Sequence, residues 1–206
     1  MTRTTRSRTT AVALGLALAA GLTATTTSPA AAGALVTWSQ SDPAGDTTFT
    51  GERGLTRAER RSIDATSVVT YDVADDRIQF NVTLREVTES RRFDQTVRVT
   101  FLDRRDDAVG GIVFSPSPGE QGSGVAVLGT GADKEVCRGL RTEFVEGTES
   151  DTTLTPVPDR CIPTARVRVR VVTSTGNLRG DGKVHSRDRV VSDGLVRVRP
   201  ADAPAG

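Results

Sequence analysis

The sequence predicts an all-β fold, an antiparallel β-sandwich of about nine strands with an immunoglobulin-like or jelly-roll-like arrangement and one disulfide. Apolar and polar residues alternate with a period of two through most of the chain. This alternation is typical of strands with one buried face and one wet face. Clusters of Gly, Pro and Asp separate the alternating segments, and short strands between such turns favour a sandwich over a closed barrel.

The clearest strand covers 77–87, where Ile78, Phe80 and Val82 alternate with polar residues. Segment 164–173 alternates arginine with valine in the same way. The remaining strands are predicted near 34–39, 66–73, 95–103, 109–114, 124–129, 140–145 together with 152–157, and 194–199.

Turn-forming residues separate these strands. Residues 74–77 predict a hairpin, and 115–124 predicts a loop because it contains two prolines and three glycines. Residues 176–183 predict another turn. Only 55–63 shows a hint of helical spacing.

The N-terminus predicts a signal peptide. An uncharged apolar stretch at 11–22 is followed by small residues at 28–34, and it is preceded by Arg3, Arg6 and Arg8. A stretch of this length is too short to cross a bilayer, which needs about 20 apolar residues. We therefore expect the protein to be secreted, with no membrane attachment after cleavage.

Cleavage is predicted after Ala32, with Ala30 and Ala34 as alternatives. This divides the chain into a signal peptide at 1–32, a β-sandwich domain at 33–200 and a disordered tail at 201–206. The domain has about 170 residues, which is enough to bury a core.

The charge balance argues against nucleic acid as a partner. The whole chain carries a net charge of +1, and removing the three leader arginines leaves about −2. Acidic and basic residues are interspersed, so the arginines are not expected to form a binding patch.

Cys137 and Cys161 are the two cysteines of the chain. An even number of cysteines in an exported protein predicts one disulfide between them. Loop entropy gives such a bridge a stabilisation of about 3.5 kcal/mol.

The sequence gives little support to catalysis. His185 is the only histidine, and no G-x-S-x-G nucleophile motif is present, so we interpret His185 as a surface residue in a turn. Carboxylates are plentiful, but no pair is selected by spacing. A non-catalytic domain is therefore expected, and a secreted hydrolase that uses carboxylates stays open as an alternative.

Several aspartates lie near predicted strand ends, where the loops of a sandwich gather and can hold a structural calcium ion. The alternative is that they are solvated turn residues. The set consists of Asp42, Asp46, Asp64, Asp103, Asp106 and Asp107.

Residues 177–188 resemble the calcium loop of dockerin modules and EF-hands, with Asn177, Asp181 and Asp188 at loop positions one, five and twelve. Position three is Arg179, which would place a cation in the site. A Gly-Asp-Gly turn before the last strands is therefore the favoured interpretation. No other cofactor is expected, and calcium is retained as a candidate.

Trp38 and Tyr71 are the candidate ligand-binding aromatics, because they are the only Trp and Tyr of the chain and sugars stack on such rings. They would carry the carbohydrate-binding or cell-wall-binding alternative if both lay exposed on one face.

The turn DPAGD at 42–46, the segment IDATSV at 63–68 and the strand FNVTL at 80–84 resemble the opening of exported actinobacterial β-sandwich proteins. The segment VPDRCI at 157–162 continues this resemblance. The same opening is similar to DOMON domains and family-nine carbohydrate-binding sandwiches, which bind haem or sugar. The resemblance implies the fold; the haem ligands do not carry over, because the only methionine is Met1, in the leader.

Together these observations predict a secreted, non-catalytic β-sandwich domain with an extracellular or cell-envelope binding or structural role. Its partner would be a cell-wall glycan or another extracellular protein.

Overall fold

The computed structural model describes seven stretches of the chain: 34–49, 56–73, 75–87, 94–115, 124–144, 147–177 and 183–200. The predicted signal peptide at 1–32 and tail at 201–206 lie outside the described residues. The described part of the chain contains no helix that could span a membrane.

The strands form two sheets in which every pairing between strands is antiparallel. The five-stranded sheet has the order β1-β3-β4-β10-β9. Its strands are β1 (Leu35–Ser41), β3 (Ala65–Val73), β4 (Arg77–Val87), β9 (Thr142–Phe144) and β10 (Gly147–Pro158).

The seven-stranded sheet has the order β2-β12-β11-β5-β6-β7-β8. Its strands are β2 (Thr48–Phe49), β5 (Asp94–Leu102), β6 (Ala108–Phe114), β7 (Gly124–Leu128), β8 (Glu135–Leu140), β11 (Arg168–Asn177) and β12 (Lys183–Val191). The predicted antiparallel two-sheet fold is thus confirmed, with more strands than the sequence predicts.

The inward residues of both sheets form one hydrophobic core. Phe80 on β4 and Phe101 on β5 are fully buried, and their ring centroids lie 6.2 Å apart. Since these two strands belong to different sheets, this contact joins the two layers.

A short helix, α1 (Arg57–Arg61), precedes β3. It begins with a capping box: Thr56 Oγ1 accepts from the Glu59 N–H, and Glu59 Oε2 accepts from the Thr56 N–H. The buried residues Ile63 and Asp64 lie between this helix and the first residue of β3.

The predicted disulfide between Cys137 and Cys161 is confirmed, with a Cα–Cα distance of 6.4 Å. Cys137 lies on β8, and Cys161 ends the 3₁₀ turn (Asp159–Cys161) that follows β10. The bridge therefore links the two sheets. Such a bond is typical of proteins in an oxidising, non-cytoplasmic environment.

Two predictions near the C-terminus are wrong. Residues 183–191 form β12, although the sequence analysis places no strand there. The predicted strand at 194–199 is instead an irregular segment, in which Val196 forms an isolated β-bridge with Val167. The inward face of β12 carries Ser186 and Asp188, so the apolar alternation that marks other strands is missing.

Candidate functional site

Three carboxylates meet where the turn after β1 lies against β12. Asp42, Asp46 and Asp188 each offer a carboxylate oxygen, and these oxygens all lie within 4.8 Å of one another. Asp42 and Asp46 belong to the turn after β1, and Asp188 lies on β12. We call these three residues the acidic cluster.

Asp64 holds the turn that carries Asp42 and Asp46. Its Oδ1 accepts a 2.9 Å hydrogen bond from the Gly45 N–H, and Gly45 has a positive φ of 94° that glycine adopts readily. Its Oδ2 lies 3.1 Å from Arg85 Nη1, so the guanidinium offsets the charge of Asp64. Asp64 therefore holds the turn that carries Asp42 and Asp46 and is not itself a member of the acidic cluster.

Asp188 is fixed by the backbone around it. It is 3% exposed; its Oδ2 accepts from the Ala65 N–H and its Oδ1 from the Arg189 N–H, both at 2.7 Å. Each oxygen retains one further lone pair.

Burial, together with neighbouring carboxylates, raises the pKa values of Asp42 and Asp188. Burial, with the charges of Asp46 and Asp64, raises the pKa of Asp42 to about 6. Burial is also the largest cause for Asp188, whose pKa rises to about 6 although the hydrogen bonds from Ala65 and Arg189 lower it. The Oδ2 of Asp42 is shielded from solvent and has no hydrogen-bond partner. Without a bound cation, this arrangement disfavours the state in which all three carboxylates are charged.

The donor set of the acidic cluster fits calcium, which takes oxygen ligands from carboxylates, backbone carbonyls and water. Asp188 is buried, and the Oδ2 of Asp42 is shielded from solvent. Asp42, Asp46 and Asp188 are the residues that could hold the ion.

The other aspartates of the predicted set lie elsewhere. Asp103 Oδ1 accepts from the N–H groups of Arg105 and Asp107, and Asp106 forms an ion pair with Arg168 at 2.7 Å. These residues make the turn between β5 and β6, which matches the alternative interpretation of solvated turn aspartates.

The resemblance of 177–188 to a calcium loop does not hold. Asp188 lies within β12, paired with Thr173 of β11, so the second half of the segment is extended and cannot wrap an ion. Asp181 lies outside the described residues. Asp188 instead joins Asp42 and Asp46, which the sequence places far away.

Trp38 and Tyr71 do not form a common stacking surface. Trp38 is 8% exposed and belongs to the core. On β3 the buried Thr70 shares the inward face with Val68, and Tyr71 alternates to the outer face. The two rings therefore lie on opposite faces of the five-stranded sheet, and the prediction that pairs them is wrong.

His185 lies within β12, where the sequence analysis places a turn. In the described part of the chain, no hydrogen bond joins His185 to a serine or a carboxylate. A serine triad therefore has no support from the observed contacts.

A shallow groove of about 860 Å³ crosses the outer face of the seven-stranded sheet. Its lining combines valines with arginine and hydroxyl side chains. The arginines and hydroxyls come from β2, β5, β11 and β12, and β6 contributes Val113. The arginines are Arg98, Arg170, Arg187 and Arg189, and the hydroxyl residues are Thr48, Thr96, Thr100 and Ser174. We call this surface the sheet-face groove.

These four arginines cluster on one face, although the interspersed charges of the sequence predict no arginine patch. Arg98 and Arg189 lie on either side of Val172 in the register of the sheet, and Arg170 lies diagonal to both. Pairing of β11 with both β5 and β12 brings them together. No signal in the local sequence indicates that these strands are neighbours.

Comparisons with protein-family models, curated proteins and solved structures find no match to this chain.

Proposed function

We propose that this chain is an exported, non-catalytic β-sandwich domain that binds an extracellular ligand in the sheet-face groove. The observation that carries the proposal is the groove itself, which gathers cationic and hydroxyl side chains from four strands on one open face. A cell-envelope component is the kind of partner that an exported domain meets.

Two features support export. The N-terminal segment has a positive region, an apolar stretch and small residues before Ala32, in the order that a signal peptide requires. The bond between Cys137 and Cys161 is stable in the oxidising environment outside the cytoplasm.

The chemistry of the groove favours binding over catalysis. A guanidinium stays protonated in proteins and cannot serve as a general base, and the hydroxyls of Thr100 and Ser174 have no histidine beside them among the lining residues. Asp188 is the one carboxylate among the described lining residues, and it is buried with both oxygens accepting backbone hydrogen bonds.

The binding proposal is tested on the chain expressed with its own leader in an actinobacterial host. Recovery from the medium with a new N-terminus near Gly33 is expected; retention of the uncleaved chain in the cells contradicts export. The recovered protein is then mixed with purified cell walls, and its depletion from solution is measured.

Thr100→Leu with Ser174→Leu fills the groove and removes two hydroxyls without changing charge. We expect this variant to lose depletion by cell walls. Gln79→Leu with Asn81→Leu changes the outer face of the other sheet and serves as the matched control. Equal depletion of wild type and both variants, or no depletion of any, contradicts binding in the groove.

We further propose a structural role for calcium at the acidic cluster. The specific observation in favour is the Oδ2 of Asp42, a shielded carboxylate oxygen without a donor, next to two further carboxylates. A bound divalent cation would compensate these charges and fasten the turn after β1 to β12.

The test is a melting curve with calcium, with magnesium and with a chelator. Calcium at about 100 times its Kd adds about 2.7 kcal/mol to folding, which raises the melting temperature. Asp42→Asn and Asp46→Asn should abolish this rise, and the exposed turn residue Asp193 supplies the control Asp193→Asn. If calcium produces no rise, or an equal rise in the cluster variants, the acidic cluster holds no ion.

A further inference from the structure

The four guanidinium groups of the sheet-face groove form no ion pairs with other described residues. In the described stretches of the chain, no carboxylate forms an ion pair with Arg98, Arg170, Arg187 or Arg189. Other arginines of the same protein do form such pairs, for example Arg168 with Asp106 at 2.7 Å. The described lining of the groove therefore presents four guanidinium groups against one carboxylate, the buried Asp188, on a chain that is close to neutral as a whole.

Sheet geometry sets the spacing of these charges. Arg98 and Arg189 flank Val172 across two strand spacings, so their Cα atoms lie about 10 Å apart. Arg170 is diagonal to each of them at about 7–8 Å. Arg187 precedes Arg189 by two residues on β12, about 7 Å along the strand.

Such an array matches a ligand that carries several anionic groups in succession. Each guanidinium can bind a carboxylate, sulfate or phosphate with two parallel hydrogen bonds. One small anion would contact one or two of these arginines, whereas an extended chain could contact all of them along the open groove.

The side chains between the arginines favour a carbohydrate chain. Thr96, Thr100 and Ser174 offer hydroxyls on the same face, and these suit the hydroxyls of a sugar. The described residues of the groove lining include no aromatic side chain, and aromatic side chains form the stacking surface on which proteins bind single-stranded nucleic acids.

We propose that the sheet-face groove binds an extended anionic carbohydrate polymer, with Arg98, Arg170 and Arg189 as its principal contacts. This inference rests on the proposed function of the groove and names its ligand class. Charge on the polymer is the property that the site recognises, and neutral sugars of the same backbone are not bound.

Isothermal titration of the exported protein tests this inference. Dextran sulfate, polygalacturonate and poly(glycerol phosphate) distinguish sulfate, carboxylate and phosphate as the anionic group, and dextran is the neutral comparison. We expect at least one of the three polyanions to bind and dextran not to bind. The affinity should fall at least about tenfold between 50 and 200 mM salt, because arginine contacts to a polyanion release counterions.

The triple variant Arg98→Gln, Arg170→Gln and Arg189→Gln should weaken binding by about tenfold or more. Arg104→Gln, Arg105→Gln and Arg197→Gln remove the same charge from exposed positions outside the groove lining and should bind as the wild type does. If the groove variant fails to fold, the salt dependence of polymer binding by the wild type still tests whether the protein recognises the charge of the polymer.

Three results would overturn the inference: equal binding of dextran and dextran sulfate, equal loss in both triple variants, or tighter binding of poly-glutamate or single-stranded DNA than of every anionic glycan. Failure of the ligand class is distinguishable from failure of the proposed function. Suppose that cell walls deplete the wild type and the arginine variant but do not deplete the Thr100→Leu, Ser174→Leu variant. The groove would then be a binding site for a neutral ligand.

Discussion

Asp42 and Asp188 lie near opposite ends of the described chain, yet each places a carboxylate oxygen within 4.8 Å of the other. The contact arises because β12 runs beside the start of β3, where the Ala65 N–H donates a 2.7 Å hydrogen bond to Asp188 Oδ2. Two carboxylates in this position destabilise the folded state when both are charged. The stability of the protein should therefore depend on pH.

We expect the metal-free protein to lose stability as the pH rises from about 4 to about 6. The pKa values of Asp42 and Asp188 rise from 3.8 to about 6 on folding. The folded state therefore binds more protons than the unfolded state in this interval. The stability from these groups is fully present below pH 3.8 and is lost as the pH passes through about 6.

Urea unfolding in chelator across this pH range measures the effect. Asp42→Asn should give a flatter profile than the wild type, while Asp193→Asn, in an exposed turn, should keep the wild-type profile. Identical profiles for Asp42→Asn and the wild type would contradict the coupling.

The disulfide should contribute strongly to stability. Replacing both Cys137 and Cys161 with alanine opens a loop with a sequence separation of 24 and should cost about 3.5 kcal/mol of unfolding free energy. Urea denaturation measures the loss. Reductant should destabilise the wild type and leave the double variant unaffected; an equal response of both proteins would show that the reductant acts elsewhere.

The ion pair between Asp159 and Arg199 fastens the C-terminal segment to the 3₁₀ turn. Arg199 Nε lies 2.8 Å from Asp159 Oδ2, and both side chains are less than a tenth exposed. Burial raises the pKa of Asp159, and the charge of Arg199 opposes this rise. Arg199→Met should cost about 3–5 kcal/mol, because it leaves a buried carboxylate without its cation.

The pair between Arg160 and Glu135 supplies the control for that measurement. Its side chains are 64% and 48% exposed, so Arg160→Met should change the unfolding free energy by only about 0–1 kcal/mol. Similar losses in Arg160→Met and Arg199→Met would contradict the importance of burial.

The aromatic contact between the sheets should dominate core stability. Phe80→Ala removes a fully buried ring and should cost about 3–5 kcal/mol in urea unfolding. Phe49 is 46% exposed, and Phe49→Ala should change stability by less than about 0.5 kcal/mol. A comparable loss in both variants would place the two rings in equivalent environments, against the observed burial.

Local pattern predicts most of the strands well. The strand predicted at 77–87 coincides with β4, because Ile78 and Phe80 face the core and polar residues face solvent in strict alternation. The same reasoning misses β12, whose inward residues Ser186 and Asp188 are polar. Ser186 hydrogen-bonds Thr175 within the sandwich, a compensation that no local pattern reveals.

The candidate sites, like the strands, are predicted only in part from local sequence. Asp42 and Asp46 are predicted as ligands from their turn, and the structure places them together with Asp188. Asp188 resembles a ligand of a different calcium loop in the sequence, because a linear motif includes only neighbours along the chain. Trp38 is misassigned because residue type alone does not tell on which face of a sheet a ring lies.

Alternation, turn composition and cysteine count are local properties, so the chain alone is sufficient to predict an antiparallel two-sheet fold and its disulfide. The order of the strands is a property of the folded molecule. It decides that Arg98, Arg170 and Arg189, which look like ordinary solvated residues of separate strands, form one positive surface. It also decides that Asp188 meets Asp42, because electrostatic interactions depend on distance in space and not on distance along the chain.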